Sequence, residues 1–170
     1  WLTYLLESLQ VTCFGASLPP KPDSMYSRLK MSGKIPEIFL DIRNRSEVAN
    51  LILKVKPSVI IHMAAQPLVR YSYQNPIETY ATNVMGTVHV LEAVRHTPSV
   101  KAVVNVTTDK CYENQETSRG YQETDRLGGH DPYSASKAAA ELVAASYRAS
   151  FFHAQDAPLL ATARAGNVVG

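Results

Sequence analysis

Short apolar runs alternate with stretches of helical periodicity along most of the chain. A continuous apolar run at residues 58–63 suits a strand that is buried on both faces of a sheet, and further strands are predicted at residues 100–106 and 159–165. Helical periodicity occupies residues 76–96 and 132–152. This alternation predicts βαβ units, and therefore an α/β fold with a doubly wound parallel sheet that carries helices on both faces.

The amino-terminal part of the chain is predicted to contain shorter elements. Leucines at helical spacing predict a helix over residues 1–9. Three further elements and one loop are predicted before the first long apolar run: a strand at 11–16, a loop without regular structure at 18–33, a strand at 38–40, and a helix that Ser46 opens and Pro57 closes. Asp131 is predicted to cap the helix that starts at Pro132, after a polar loop at residues 111–129.

Composition narrows the class of protein. The 170 residues are 45% hydrophobic, which suits one domain with a sizeable core. The net charge is +2 and the basic residues are dispersed, which argues against a nucleic-acid surface. Cys13 and Cys111 lie in or beside apolar runs, which favours free thiols in a reducing compartment. With no apolar run of the ~18 residues that a membrane span needs, we expect a cytoplasmic protein.

Two groups of polar residues lie where the predicted elements would form an active site. Thr108, Asp109 and Lys110 follow the apolar run at residues 102–106, at the carboxyl end of a predicted parallel strand. Tyr133 and Lys137 are four residues apart on one helix face, where an ammonium can stabilise a phenolate that works as a base. Taken alone, that pair is more often an amphipathic surface pair. The neighbouring strand-end residues favour the catalytic interpretation.

Five stretches of sequence carry motifs of one known family. They read HMAAQPLVR at residues 62–70, TNVMGT at 82–87, TTDKCY at 107–112, DPYS with Lys137 at 131–137, and ARAGNV at 163–168. On these stretches the chain resembles the extended short-chain dehydrogenases/reductases, and most closely the CDP-glucose 4,6-dehydratases. Asp109-Lys110 is the sharpest motif, because dTDP-glucose 4,6-dehydratases carry Asp-Glu there. The resemblance implies a Rossmann-like, NAD(P)-binding fold.

The resemblance also implies a reaction on a nucleotide-sugar substrate. Tyr133 would remove the 4-hydroxyl proton, with Lys137 stabilising the phenolate and Thr108 bonding the same hydroxyl. Lys110 would then remove the C5 proton while Asp109 protonates the departing 6-hydroxyl, and hydride would pass from C4 to NAD and back to C6. Neighbouring opposite charges favour ionised forms, so Asp109 must hold its proton through burial or substrate contact. The division of acid and base roles between these two residues stays open.

A set of binding residues follows from the same resemblance. The implied cofactor contacts are Asp41 and Ile42 at the adenine, Ala64, Ala65 and Gln66 near the pyrophosphate and ribose, Thr107, and the Tyr133 and Lys137 pair. Asn83 would position Lys137 or the substrate, and Asn167 and Arg70 would contact the sugar nucleotide. Simpler alternatives exist for three of them: a turn cap at Asp41, a helix backbone contact at Asn83 and a solvated side chain at Gln66. The five histidines have no metal-ligand spacing, so no metal site is predicted.

The 170 residues lack three parts that members of the family have. The glycine-rich phosphate loop, the first strand and the substrate-binding carboxyl-terminal region of the family are missing from it. We therefore expect residues 1–170 to form a truncated dinucleotide-binding domain that binds NAD weakly or not at all alone. The strands at 11–16 and 59–63 are expected to have exposed apolar edges.

Three functions stay open from the sequence. The first is an NAD-dependent 4,6-dehydratase of the CDP-glucose type. The second is a nucleotide-sugar epimerase, which Asp109-Lys110 disfavours. The third is a non-catalytic remnant that serves as an assembly module. The resemblance further implies a homodimer that forms through the helices at 76–96 and 132–152.

Overall fold

The computed structural model describes residues 1–29 and 33–167. Contacts divide the chain into two compact units, one formed by Trp1–Asp41 and one that begins at Ile42. All pairs of neighbouring strands are parallel, and helices separate most of them along the chain. The predicted α/β class with parallel sheets is therefore confirmed.

The amino-terminal unit contains two helices and a two-stranded sheet. Its elements are α1 (Leu2–Ser8), β1 (Gly15–Ser17), α2 (Met25–Arg28) and β2 (Glu37–Phe39). The predicted helix and both strands are confirmed, although β1 starts at Gly15 rather than at residue 11. The prediction of a loop without regular structure at 18–33 is wrong at α2, because the Ser24 side chain accepts a hydrogen bond from Ser27 N at 3.3 Å and caps a short helix. Residues 30–32 of that loop lie outside the described part.

The second unit contains a three-stranded parallel sheet of order β3-β4-β5. Its elements are α3 (Arg45–Val55), β3 (Val59–His62), α4 (Val69–Gln74), α5 (Pro76–Tyr80), a π-helical turn (Ala81–Met85), α6 (Gly86–Arg95), β4 (Ala102–Thr108), a 3₁₀ turn (Asp109–Cys111), α7 (Pro132–Ser150) and β5 (Leu159–Ala165). Helix α7 packs on β4 and β5 and on α6, and α6 packs on α3. The buried apolar side chains of this unit include Leu91, Val94, Val103, Ala140, Ala144 and Leu160.

The helix predicted at 76–96 is confirmed but is not continuous. A π-helical turn separates α5 from α6, and the hydroxyl of Thr87, in α6, donates to the carbonyl of Asn83, in the turn, at 2.8 Å. Gly86 follows the turn, where a β-carbon would overlap the Ile42 side chain, so only glycine fits this close approach. Helix α4 was not predicted, because its six residues are too few to show a helical period.

Helix starts in the second unit follow side-chain caps. Helix α3 begins at Arg45 after Asn44, whose side chain accepts from Glu47 N at 3.3 Å, so the predicted start at Ser46 is one residue late. The predicted cap of α7 is confirmed, because Asp131 accepts from Ser134 N at 2.9 Å and Pro132 occupies the first turn. This cap determines where the first turn of α7, with its Tyr and Lys residues, begins.

Candidate active site

The first turns of α7 carry the predicted Tyr and Lys pair. Tyr133 and Lys137 are both buried. The Lys137 ammonium donates to the Val106 carbonyl at 3.0 Å, near the carboxyl end of β4. This bond brings Lys137 to the strand end that Thr108 terminates. The bond places the Lys137 ammonium two residues before Thr108 along β4, near the strand end that the sequence singled out.

The strand end itself carries a mutually bonded trio, in which Thr108 is buried and Asp109 and Lys110 are exposed. The Thr108 hydroxyl donates to Asp109 Oδ1 at 3.1 Å, and Lys110 N donates to the same hydroxyl oxygen at 3.3 Å. The Lys110 ammonium lies 3.3 Å from Asp109 Oδ1, and these side chains are 47% and 53% exposed respectively. The prediction that burial keeps Asp109 protonated is therefore wrong for this chain. Substrate contact is the remaining one of the two predicted reasons.

Tyr133 is oriented through its backbone rather than through its hydroxyl. Its N–H donates to the Ser72 hydroxyl at 3.1 Å, and Ser72 in turn donates to the Val69 carbonyl at 2.7 Å. Helix α4 thus caps one of the free N–H groups at the start of α7. Within residues 1–29 and 33–167, the Tyr133 hydroxyl has no hydrogen-bond partner and is not among the buried unpaired atoms. It is open to a ligand.

Burial changes the protonation of the groups around Lys137. Burial lowers the pKa of Lys137, against the opposing attraction of Glu141. His62, on β3 opposite Asn105, is buried beside the same ammonium, and burial followed by the Lys137 charge lowers its pKa to about 4. Burial likewise raises the pKa of the Cys111 thiol to about 11. His62 and Cys111 are therefore neutral near pH 7.

Gln66 and Asn83 form a buried amide pair. Gln66 N donates to Asn83 Oδ1 at 2.8 Å, and Asn83 Nδ2 donates back to the Gln66 carbonyl at 3.0 Å and to the Ser136 hydroxyl at 2.9 Å. The Gln66 side chain donates to the Thr79 hydroxyl at 2.9 Å. The alternative of a solvated Gln66 is therefore wrong. The bonds link the loop after β3, the π-helical turn and α7.

The other predicted binding residues have more varied surroundings. Ala64 and Ala65 are half-buried in the loop after β3, and Thr107 is buried and donates to Glu141. Ile42 packs against Gly86, and its carbonyl lies 2.9 Å from His89 Nδ1. Three more predicted residues are less enclosed: Asp41 is half-buried in the amino-terminal unit, and Arg70 and Asn167 are exposed in the second. Val168, in the last motif stretch, lies outside the described residues.

Two features of the site were missed from the sequence. Glu141 is buried one turn after Lys137 and is bonded by Arg164, and Ser72 bonds the backbone of Tyr133. The spacing of Lys137 and Glu141, four residues apart, was a signal in the sequence, but such a pair usually lies on a solvated face. Ser72 gave no signal, because its partner is 61 residues away.

Two other kinds of feature are absent from the described part of the chain. Across residues 1–29 and 33–167, no group of three or more His, Cys, Asp or Glu side chains could hold a metal ion. Among the same residues, no helix is both long enough and apolar enough to cross a bilayer.

Comparisons with known proteins agree with this geometry. The sequence profile of the GDP-mannose 4,6 dehydratase family matches residues 20–155. A CDP-glucose 4,6-dehydratase of Salmonella typhimurium is 47% identical over 100% of the chain, which covers 49% of that protein. The chain therefore spans about half the length of this relative.

Solved structures support the fold. A UDP-glucose 4-epimerase from Thermus thermophilus, in complex with NAD, matches 96% of this chain and 50% of its own with a TM-score of 0.78 at 22% identity. A double mutant of a dTDP-glucose 4,6-dehydratase from Streptomyces venezuelae, solved with NAD bound, matches 74% of this chain and 38% of its own with a TM-score of 0.65 at 28% identity. The predicted Rossmann-like fold is confirmed by these likenesses.

Proposed function

The chain belongs to the GDP-mannose 4,6 dehydratase family, and we propose that it carries the catalytic residues of an NAD-dependent 4,6-dehydratase that acts on CDP-glucose. The observation that carries this proposal is the bond from Lys137 to the Val106 carbonyl, which joins the Tyr and Lys helix to the strand end that bears Asp109 and Lys110. The 47% identity to a CDP-glucose 4,6-dehydratase supports the choice of substrate.

In the first half of the proposed reaction the sugar is oxidised at C4. Tyr133, whose hydroxyl has no partner in the described part of the chain, takes the proton of the 4-hydroxyl. Before this transfer Lys137 stabilises, through its charge, the phenolate form of Tyr133 that accepts the proton, and Thr108 holds the 4-oxygen. The chemistry that NAD would supply here when bound is reversible hydride transfer, with C4 as the hydride donor and C6 as the final acceptor.

In the second half water is eliminated across C5 and C6. The 4-keto group acidifies the C5 proton, which Lys110 takes as a neutral amine, and Asp109 gives its proton to the 6-hydroxyl as that group leaves as water. Lys110 then returns the proton to C5 when hydride reaches C6. The exposure of both side chains suits this step, because the substrate can reach them from solvent. Contact with the substrate keeps Asp109 protonated until the elimination.

The residues present fit the nicotinamide end of NAD. An ammonium has three donors, and within the described residues Lys137 uses one of them on Val106, which leaves two for ribose hydroxyls. The half-buried Ala64 and Ala65 leave room for the approach of a dinucleotide to the backbone. Further proposed contacts are Asp41 and Ile42 at the adenine, Gln66, Asn83 and Thr107 at the ribose side, and Arg70 and Asn167 on the sugar nucleotide.

The proposal extends to assembly and compartment. We infer a homodimer that forms through α5 to α6 and α7, since Leu142 on α7 is 61% exposed although it has the character of a packing residue. A cytoplasmic location follows from the nucleotide-sugar substrate and from the free Cys13 and Cys111.

A mass measurement tests the function. In a chimera, the chain replaces the half of the Salmonella typhimurium relative that it matches. The chimera is incubated with NAD and, in separate reactions, with CDP-glucose, UDP-glucose or dTDP-glucose. We expect CDP-glucose to lose one water, and we expect Tyr133→Phe to abolish that loss while leaving the fold intact. The unmodified 170-residue chain is assayed beside the chimera.

The alternatives predict different masses. An epimerase converts the substrate without any change of mass. A new nucleotide sugar of unchanged mass would therefore favour the epimerase over the dehydratase as the function. No reaction with any nucleotide sugar, in a folded chimera, would favour the non-catalytic assembly module. Water loss from UDP-glucose or dTDP-glucose in preference to CDP-glucose would overturn the choice of nucleotide.

A further inference from the structure

A buried carboxylate lies one turn beyond the Lys residue on α7. The Glu141 side chain is 4% exposed and accepts hydrogen bonds from Arg164 Nη2 at 2.9 Å, from the Thr162 hydroxyl at 2.9 Å and from the Thr107 hydroxyl. Because Glu141 follows Lys137 by four residues, the two side chains lie on one face of the helix. The carboxylate thus faces the β4 and β5 strands below the proposed active site.

Arg164 connects this carboxylate to the loop after β4. Its Nη1 donates to the Tyr112 hydroxyl at 3.0 Å and to the Glu123 carbonyl at 3.1 Å, and its guanidinium lies 5.0 Å from the centre of the Tyr112 ring. Tyr112 stacks on Tyr121 with ring centres 5.0 Å apart. One charged cluster therefore joins α7, both strands and the polar loop.

Glu141 is ionised in this setting. Burial pushes its pKa upward, but hydrogen bonds from Arg164, Thr107 and Thr162 outweigh that effect, and the net pKa lies below the usual value. The carboxylate is therefore a fixed negative charge in a region of low dielectric, where a charge acts more strongly than at the surface.

The groups that face the Lys137 ammonium come from four elements. They are the Val106 carbonyl on β4, Cys111 in the 3₁₀ turn, His62 on β3 and Glu141 on α7 itself. Cys111 and His62 are neutral near pH 7 for the reasons given above. Glu141 is thus the ionised acid among them.

We propose that Glu141 is a positioning residue for Lys137: its carboxylate is the counter-charge that keeps the buried ammonium charged at the Val106 carbonyl, and Arg164 limits the strength of that charge. The consequence for catalysis rests on the proposed function, because only there does the Lys137 charge stabilise a phenolate. The coupling of the charges does not rest on it, and it can be measured without NAD or substrate.

The test follows the titration of the Lys137 side-chain amine by NMR in the ¹⁵N-lysine-labelled 170-residue chain. In Glu141→Gln, we expect Lys137 to lose its proton at lower pH than in the unmodified chain, since the favourable charge is gone. Glu92→Gln is the matched control, because it breaks a different Glu and Arg ion pair, between Glu92 and Arg95 on α6 and away from Lys137. We expect that control to leave the Lys137 titration unchanged.

The direction in which the Lys137 titration shifts distinguishes the loss of the Glu141 charge from a loosening of the surrounding structure. Loosening would let water reach Lys137 and move its titration to higher pH, towards the ordinary value, because burial is what lowers it. An upward shift or no shift in Glu141→Gln therefore overturns the proposal. A downward shift supports it even if the chimera proves to be an epimerase or inactive, so the two proposals fail separately.

If Glu141→Gln does not fold, a second pair of variants tests the proposal. Arg164→Gln removes the positive partner and should move the Lys137 titration to higher pH, whereas Arg164→Lys keeps the charge and should leave it in place. Equal upward shifts in both variants would indicate loosening and would overturn the proposal. No shift in Arg164→Gln would overturn it as well.

Discussion

Two ion pairs lie on β4 and its neighbours, and they differ in exposure. Asp109 and Lys110 meet at 3.3 Å with half of each side chain exposed. Glu141 and Arg164 meet at 2.9 Å with 4% and 15% exposed. Beyond the bond between its members, the first pair has one further side-chain partner, the Thr108 hydroxyl on Asp109, whereas both members of the second pair have further partners. The comparison separates a pair that is free to react from one that holds the scaffold.

The difference follows from desolvation. An exposed pair is hydrated and screened, so its attraction is small and its side chains can move to a substrate. A buried pair has lost its hydration, so each charge depends on the other and on the hydrogen bonds around it. The groups that we propose to react therefore lie at the strand end, and the buried pair lies one layer deeper.

The largest expected effect comes from removing one half of the buried pair. Arg164→Met leaves the Glu141 carboxylate buried without its cation, and we expect the free energy of unfolding to fall by about 3–5 kcal/mol. Urea denaturation followed by circular dichroism measures this loss.

A double variant tests the cause of that loss. Glu141→Leu combined with Arg164→Met replaces both charges by apolar side chains of similar volume, and we expect most of the stability to return. If the double variant is as unstable as Arg164→Met alone, an uncompensated buried charge is not the reason, and packing of the guanidinium on Tyr112 takes its place.

The second effect shows what burial does to a titrating group that has no ionic partner. His62 has a pKa of about 4 in the folded chain against the ordinary histidine value of 6.5, so between these pH values the unfolded chain binds the proton and the folded chain does not. Stability contributed by neutral His62 is present above pH 6.5 and is lost as the pH falls towards 4. The loss over this window is about 3 kcal/mol.

The measurement is a difference between two proteins. Urea denaturation of the unmodified chain and of His62→Gln is repeated at several pH values, because carboxylates titrate in the same range in both. We expect the stability difference between the two to change across the window and to be constant above it. Parallel curves throughout would show that His62 is not held neutral by burial.

The sequence could reveal the exposed pair because its evidence is local. Asp109 and Lys110 directly follow an apolar strand, and the carboxyl ends of parallel strands form the crevice of such folds. Tyr133 and Lys137 were found for a similar reason, since a spacing of four places both on one helix face. The strands, α7 and its Asp131 cap were likewise predictable from neighbouring residues.

The buried pair could not be found in this way because its evidence is distant. Glu141 and Arg164 are 23 residues apart on different elements, and Asn83 and Ser136 are 53 residues apart. In a helix rich in alanine, a Glu such as Glu141 resembles a solvated residue until the packing is known. The π-helical turn depends on the same kind of distant packing and was also missed.

The third effect compares a neutral buried hydrogen bond with the charged pairs. Ser72→Ala leaves Tyr133 N–H without its buried acceptor, and we expect a loss of roughly 1–2 kcal/mol in the free energy of unfolding. Ser46→Ala on exposed α3 is the matched control and should change stability by less than about 0.5 kcal/mol. Equal effects of the two variants would mean that water replaces Ser72 at no cost.

The smallest effect on stability, and the largest on chemistry, is expected at the exposed pair. Lys110→Ala removes a half-exposed partner of Asp109, so the free energy of unfolding should change by about 0–1 kcal/mol. In the chimera, oxidation at C4 needs Tyr133 but not Lys110, and we expect rapid-mixing absorbance to show reduced NAD that forms and then persists because elimination is blocked. Asp109→Asn should give the same persistence, since an amide cannot donate the required proton to the leaving hydroxyl. If reduced NAD never forms in Lys110→Ala while the variant remains folded, Lys110 acts in the oxidation itself. The separation of the exposed pair from the Tyr133 and Lys137 helix would then have to be abandoned.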